Sequence, residues 1–319
     1  MDTFNTDAQP LAQKASKVAI ITRTKNRNLL LDRCIRSVLA QTEQDWVHVI
    51  VNDGGEAAPL DELVGAYQAQ YRGRLKVIHN PVSVGMEAAS NIGINNSDST
   101  YLVILDDDDT WHSTFLEKMT AALATETWAG TRGMFCHTRI VHEKIVGESV
   151  VITGSEEFNN WIEHIDFLQL FAWNRFTPVC FVFERAALEE VGLFDETLPV
   201  CGDWEFNLRF LSKYEIGTLR EELAYWHQRP KLTGHYGNSV NAGKDLHRVY
   251  RARIINRWVR QGFADKTLGY ADMFSMAISF EQSLSTQRYL QSRKRSLYTR
   301  LRKKIQAFFR RKKNVPSTF

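Results

Sequence analysis

Four consecutive aspartates, Asp106, Asp107, Asp108 and Asp109, follow directly on the apolar run Tyr101-Leu102-Val103-Ile104-Leu105. Neighbouring like charges repel, more so where water is scarce, so carboxylates gathered at the end of a buried strand call for a compensating cation. A hard divalent ion such as Mg²⁺ or Mn²⁺ takes oxygen ligands, and Mg²⁺ is commonly held by one or two carboxylates plus substrate phosphates. The cluster therefore points to a metal-assisted reaction on a phosphate-bearing substrate, with charge on a departing phosphate neutralised at the cluster. While the chain stays extended, alternate residues face the same way, which pairs Asp106 with Asp108 and leaves Asp109 available where the chain turns. The plain alternative is a solvated acidic turn, where aspartate is common anyway.

Asp203 opens the helical pattern that follows Gly202, in the run Gly202-Asp203-Trp204-Glu205. It reads either as a helix N-cap or as a base that accepts a proton from a hydroxyl nucleophile. Glu205 is then an acceptor-side group or a solvated first-turn residue. His227 and His235 belong with a polar stretch, Gln228 to Asn241, that carries several Gly, Asn and Ser. Either could complete a metal shell or meet a phosphate as a loop closes, or be an ordinary surface histidine. Arg229 has the fork that grips oxyanions in bidentate fashion, although a loop arginine can equally be solvated.

These residues need a frame. Val18-Ala19-Ile20-Ile21 reads as a buried strand, and Leu30, Leu31, Cys34, Ile35, Val38 and Leu39 then fall at helical spacing. Trp46 to Val51 is a second strand, Leu60 to Tyr71 a helix, Leu75 to Ile78 a third strand, Glu87 to Asn95 a helix and Tyr101 to Leu105 a fourth strand. Strands alternating with helices imply right-handed crossovers and a Rossmann-like α/β fold with a mixed, mostly parallel sheet. Ligands bind such sheets beyond the carboxyl ends of the strands, so Thr22-Arg23-Thr24, Asp53 and the aspartate run should share one crevice. Further along, Gly133 to Val141 and Ser149 to Thr153 read as strands, Trp161 to Phe171 as a short helix, and Pro178 to Phe183 as a buried strand. Arg185 to Val191 then reads as a helix, Ala224 to His227 as a strand end, and the chain from Lys244 as predominantly helical. The division expected is a flexible N-terminus over 1–16, a catalytic domain over 17–241 and a helical C-terminal region over 242–319.

The net charge of +3 hides an asymmetry. Gln282 to Phe319 holds twelve Lys and Arg and no acid, which leaves 28 basic against 37 acidic residues elsewhere, or −9. A basic tail on an acidic body calls for an anionic partner. Leu297, Leu301, Ile305 and Phe308 are spaced by four, four and three, one apolar stripe with basic flanks suited to an anionic membrane surface. The alternatives are packing on the catalytic domain or a homo-oligomer contact; no nucleic-acid motif accompanies the tail. Four scattered cysteines match neither a disulfide frame nor a zinc site. Without a signal peptide or a run of ~20 apolar residues, the expected place is cytoplasmic, peripheral at the inner face of the cell membrane.

The order of elements resembles the inverting family 2 glycosyltransferases of the GT-A type, over roughly Val18 to Ser239. The resemblance rests on Val18 to Thr24, Ser37-Val38-Leu39-Ala40-Gln41-Thr42, Val49 to Gly55, Asn80 to Gly85, Asn91-Ile92-Gly93-Ile94, Leu105 to Asp109, and Gly192-Leu193-Phe194-Asp195-Glu196 ahead of Gly202 to Glu205. It implies transfer of a sugar from a nucleotide-diphospho-sugar, UDP-linked, to a glycan or polyprenyl-linked acceptor in surface polysaccharide synthesis. By the same resemblance Thr22, Arg23 and Thr24 would line the nucleotide pocket and Asp53 would hold the base. Asp106 and Asp108 match the Asp-x-Asp motif that binds Mn²⁺ or Mg²⁺ and the donor. Gly85, Asn91 and Asp107 would lie on the donor side, and Trp204 and Glu205 on the acceptor side. Asp203 matches the base that deprotonates the acceptor.

Three positions depart from the family pattern. Asn52-Asp53-Gly54-Gly55 stands where Asp-Asp-Gly-Ser is frequent. Ala89-Ser90-Asn91 replaces Ala-Arg-Asn, which makes Arg23, Arg27 and Arg229 candidates for the missing charge at the diphosphate. Gly202-Asp203 replaces a Glu-Asp pair and drops the first acid. A nucleotidyltransferase would want a Gly-rich loop after the first strand, and Thr22 to Arg27 has no glycine. A non-catalytic sugar-binding scaffold would not need Asp53, Asp106, Asp108 and Asp203 together.

Overall fold

The computed structural model describes residues 15–126, 128–230, 232, 234–238 and 244–276, with 278, 279 and 282. The expected N-terminal segment up to residue 14 and the basic tail from residue 283 lie outside the described residues.

The first strand, β1 (Ser16–Thr24), forms from a β-branched run whose Val18, Ala19, Ile20 and Ile21 are fully buried. It lies between β2 (Trp46–Asp53) and β4 (Ser99–Ile104), parallel to both, and β2 pairs in parallel with β3 (Leu75–Asn80). The crossovers are α1 (Asn28–Leu39), which buries Leu30, Leu31, Cys34, Ile35 and Val38 on one face, the pair α2 (Ala57–Gly65) and α3 (Gln68–Tyr71), and α4 (Met86–Asn95). All four strands of this half therefore end at one edge, where the sequence predicts its polar clusters.

The second half is built differently. After β5 (Thr110–Trp111) and α5 (Phe115–Thr125) come the long β6 (Thr131–Val146), β7 (Ser149–Glu157), α6 (Phe167–Ala172), β8 (Phe181–Glu184), α7 (Leu188–Val191), α8 (Gly202–Leu211) and β9 (Glu215–Gln228). The sheet order is β3-β2-β1-β4-β8-β6-β9-β5, with β7 paired along the later part of β6. β8 runs antiparallel to both β4 and β6, whereas β6 and β9 are parallel. The sheet is thus mixed, parallel in its first half. The expected strand from Pro178 begins as a single 3-10 turn, Pro178–Cys180, because proline fixes φ and brings no N–H for a ladder. The expected helix from Trp161 starts only at Phe167, where Asp166 caps it by accepting the Gln169 N–H at 2.8 Å.

The described residues fall into two compact units, one up to Arg251 and one from Ala252, divided within α9 (Lys244–Ala264). In the second unit Phe263 stacks on Tyr270 with ring centroids 4.7 Å apart.

Candidate active site

Strand order ends at Leu105, whose N–H donates to the Ile21 carbonyl at 2.9 Å. The chain then turns at once: the Asp109 N–H donates to the Asp106 carbonyl at 3.1 Å. The four aspartates are thus not an extended segment, and alternation does not decide which of them act together. Each carboxylate leaves the turn toward its own partner. Asp106 meets Arg23 Nη2 at 2.7 Å. Asp107 accepts from Thr24 Oγ1 at 2.7 Å and from Arg27 Nη1 at 3.1 Å. Asp108 Oδ2 receives Arg27 Nη2 at 2.5 Å, Arg229 Nη2 and, at 3.3 Å, Asn238 Nδ2. Asp109 points inward and accepts the His227 N–H at 2.8 Å.

Behind Asp108 stands Glu143, a buried acid near the end of β6. It binds Arg33 at 2.6 Å, the second arm of Arg229, and His227 Nδ1 at 3.0 Å. Arg229 is 0% exposed, its Nε donating to the Tyr236 carbonyl at 2.7 Å. A guanidinium enclosed in this way needs its counterions, and here Asp108 and Glu143 take one arm each. The other ring nitrogen of His227 meets Thr110 Oγ1 at 2.8 Å, so both nitrogens are committed inside the fold and neither faces a metal. His227 braces the last strand, a correction to its reading as a ligand. His235 sits in the short turn Gly234–Tyr236, and its side chain is outside the described residues.

Around this turn seven acids, Glu87, Asp106 to Asp109, Glu143 and Asp203, face four arginines, Arg23, Arg27, Arg33 and Arg229. The surplus shows in proton affinity. Burial and then the charge of Asp108 push Asp109 well above the carboxylate range, against the bond it accepts. Burial lifts Asp107 to about 6 although Arg27 pulls it down. Of the four, Asp108 alone is held low, because Arg27 and Arg229 more than reverse the effect of burial. Uncompensated carboxylates of this kind suit a divalent cation. Asp106, with 31% of its side chain exposed, is the more available to it; Asp108 is already met by Arg27, Arg229 and Asn238 on Oδ2 and could offer only Oδ1. Among the described residues no group of three or more His, Cys, Asp and Glu could hold the ion without further ligands, so substrate oxygens or water would complete the shell. The buried Nε–H groups of Arg23, Arg27 and Arg33 have no hydrogen-bond partner, three donors suited to phosphate oxygens.

Across from Asp106 lies the first turn of α8. Asp203 Oδ2 accepts Asn174 Nδ2 at 2.7 Å. Burial raises its proton affinity, and the Trp204 N–H and Arg23 oppose that without cancelling it. Arg23 feels both Asp106 and Asp203, which places acid turn and helix start in one electrostatic site. Trp204 and Glu205, expected on the acceptor side, are bound within the fold instead. The Trp204 indole donates to the Leu170 carbonyl at 2.7 Å, and Glu205 is held by Arg209 through both oxygens at 2.8–3.0 Å.

Three further residues expected on the donor side, Thr22, Asp53 and Asn91, also serve the fold. On β1, Thr22 shares one face with Ile20 and Thr24, and it is fully buried with its hydroxyl 2.9 Å from His48 Nε2. Asp53 accepts Asn80 Nδ2 at 2.9 Å, Ser83 Oγ at 2.7 Å, and the Val84 and Gly85 N–H groups at 2.9 and 3.1 Å, so both its oxygens shape the 80–85 loop. Burial alone would raise it, yet these bonds, Val84 first, hold it below its ordinary value. That loop passes so close that a Cβ on Gly54, at φ +72°, would meet the Ser83 nitrogen at 2.4 Å. Asn91 joins α4 to the 194–196 segment through the Phe194 N–H and carbonyl and Glu196, at 3.0, 2.9 and 2.8 Å. Glu87, Arg33, Glu143, Asn174 and Asn238 were not singled out from sequence. Their partners lie far along the chain, and no local pattern marks them.

The sequence model of the family described as "Glycosyl transferase family 2" matches residues 19–192, more than half of the chain. The succinoglycan biosynthesis protein ExoW of Rhizobium meliloti (strain 1021) is 31% identical over 183 residues, which cover 54% of this chain and 56% of ExoW. The fold is similar to that of S. aureus TarS 1-349 in complex with UDP-GlcNAc, with a TM-score of 0.56 at 15% identity over 84% of this chain and 77% of that one. It is also similar to GalNAc-T7 with UDP, GalNAc and Mn²⁺, with a TM-score of 0.50 at 14% identity over 68% of this chain and 45% of that one.

Proposed function

We propose that this chain, which belongs to glycosyl transferase family 2, is an inverting transferase that moves a sugar from a nucleotide-diphospho-sugar, UDP-linked, to a glycan or lipid-linked glycan. The observation that carries the reading is Asp203: a half-buried carboxyl held by Asn174, with raised proton affinity and tied electrostatically through Arg23 to the acid turn. The UDP and UDP-GlcNAc of the TarS complexes and the Mn²⁺ of GalNAc-T7 support the donor class and the ion.

In this reading Asp203 takes the proton of the acceptor hydroxyl. The freed oxygen attacks the anomeric carbon from the face opposite the diphosphate, the C–O bond to the diphosphate breaks, and configuration inverts. Asn174 holds the Asp203 carboxyl through its Nδ2–H bond at 2.7 Å. Arg23 and Arg27 take up charge on the departing diphosphate through their unpartnered Nε–H groups. When bound through Asp106 and Asp108, Mn²⁺ or Mg²⁺ supplies charge neutralisation at the diphosphate.

Asp203→Asn is the test. Donor and Mn²⁺ affinity in calorimetry should stay within about twofold, while turnover falls by roughly 10²–10⁴; undiminished turnover removes the base assignment. The product would enter a surface polysaccharide, a role supported by the name of ExoW. The basic tail would hold the protein at an anionic membrane face; no described helix is long and apolar enough to cross a membrane. A chain ending at Ser283 should lose sedimentation with phosphatidylglycerol vesicles, and undiminished binding refutes the anchor.

A further inference from the structure

Gly202 leaves a space, and Glu87 fills it. A Cβ on Gly202 would lie 2.3 Å from both Cδ and Oε1 of Glu87, so the carboxyl rests directly against the start of α8. Glu87 comes from the first turn of α4 and is 5% exposed. Packing does not require an acid there, since burying a carboxyl is costly. Pairing does not explain it either: Arg23 makes its ion pair with Asp106 at 2.7 Å and its hydrogen bond with Ser90 at 2.9 Å. The charged groups that face Glu87 are Arg23, Asp203, Asp106 and Glu205. Cys201, just before Gly202, holds a left-handed φ of 65°, a conformation unfavourable for a residue with a Cβ.

We propose that Glu87 is a positioning residue for the acceptor step: its carboxyl, delivered from α4 into the space over Gly202, seats the first turn of α8 so that Asp203 meets the acceptor hydroxyl. The acid that rests on Gly202 comes from 115 residues earlier in the chain. Burial, reinforced by Asp203 and opposed by Arg23, lifts Glu87 to about 8, so near neutrality it keeps its proton and adds no second charge beside the base. The inference rests on the transferase reading.

The test compares Glu87→Gln, Glu87→Leu, Gly202→Ala and the relocated pair Glu87→Ala/Gly202→Glu, each against Glu87→Ala. Turnover is read as nucleoside diphosphate released from a panel of UDP-, GDP- and dTDP-hexoses with Mn²⁺, beside the unfolding midpoint. Glu87→Leu and Gly202→Ala should lose at least tenfold in turnover while donor affinity stays within twofold. Glu87→Gln, which keeps shape and polarity, should retain most of it, and the relocated pair should recover at least half of what Glu87→Ala loses. Leucine fills the same volume, so a space-filling role would leave Glu87→Leu active; that result overturns the inference, as does a folded relocated pair no better than Glu87→Ala. If the relocated pair does not fold, the Gln and Leu variants decide. A parent inert toward every donor removes the transferase reading and this inference with it, whereas an active parent with an equally active Glu87→Leu removes the inference alone.

Discussion

The two sides of the crevice treat their acids in opposite ways. On the side of β9, Asp108 and Glu143 are met by Arg27, Arg33 and Arg229 and held low, Glu143 at about 2. On the side of α8, Glu87, buried, and Asp203, half-buried, have fewer counterions and are held high. Compensated acids lock strands together; undercompensated ones keep their affinity for a proton. The same residue type serves as a clamp or as a reagent according to how many guanidinium groups reach it.

Breaking the clamp should cost most. Arg229→Ala removes the guanidinium shared by Asp108 and Glu143, leaving Arg27 to the first and Arg33 and His227 to the second, and should destabilise the protein by about 3–5 kcal/mol in urea unfolding. A loss under about 1 kcal/mol would show that the lattice does not hold β9. Next in size is the pH response of the other side. Glu87 has a folded value of about 8 against 4.5 unfolded, so its contribution is fully present below about 4.5 and lost as pH rises toward 8. Stability should therefore fall by a few kcal/mol across that window, and Glu87→Gln should flatten the fall; parallel curves would contradict the assigned burial. The smallest effect comes from supplying the missing charge. Mn²⁺ at a hundred times its Kd should add about 2.7 kcal/mol by mass action. Asp108→Ala should abolish that gain, and a gain unchanged in the variant would move the ion elsewhere.

Much of the frame was legible. Apolar runs such as Val18 to Ile21 and the helical face of α1 follow from local periodicity, and the acid turn declares itself by charge density. The site was legible as a place but less so as a set of roles. Thr22, Asp53 and Asn91 are polar residues at the ligand-facing edge whose bonds turn out to be internal, and nothing local separates a loop-shaping carboxylate from a ligand-binding one. Glu87 and Glu143 escaped because their meaning comes from partners brought by the topology: Glu143 meets Arg229 across 86 positions, and Glu87 meets a missing side chain.

The lattice around Asp108 also sets an order of assembly. Its buried counterion, Arg229, lies 121 positions downstream. At a synthesis rate of about 5–20 residues per second, the acid turn waits roughly 6–24 s before that arginine is made. Throughout that interval the nascent chain carries four adjacent carboxylates with Arg23, Arg27 and Arg33 as its only already-synthesised partners from the lattice. A ribosome stalled before codon 229 would therefore hold the sequence of every strand through β9 but not the guanidinium that joins Asp108 to Glu143.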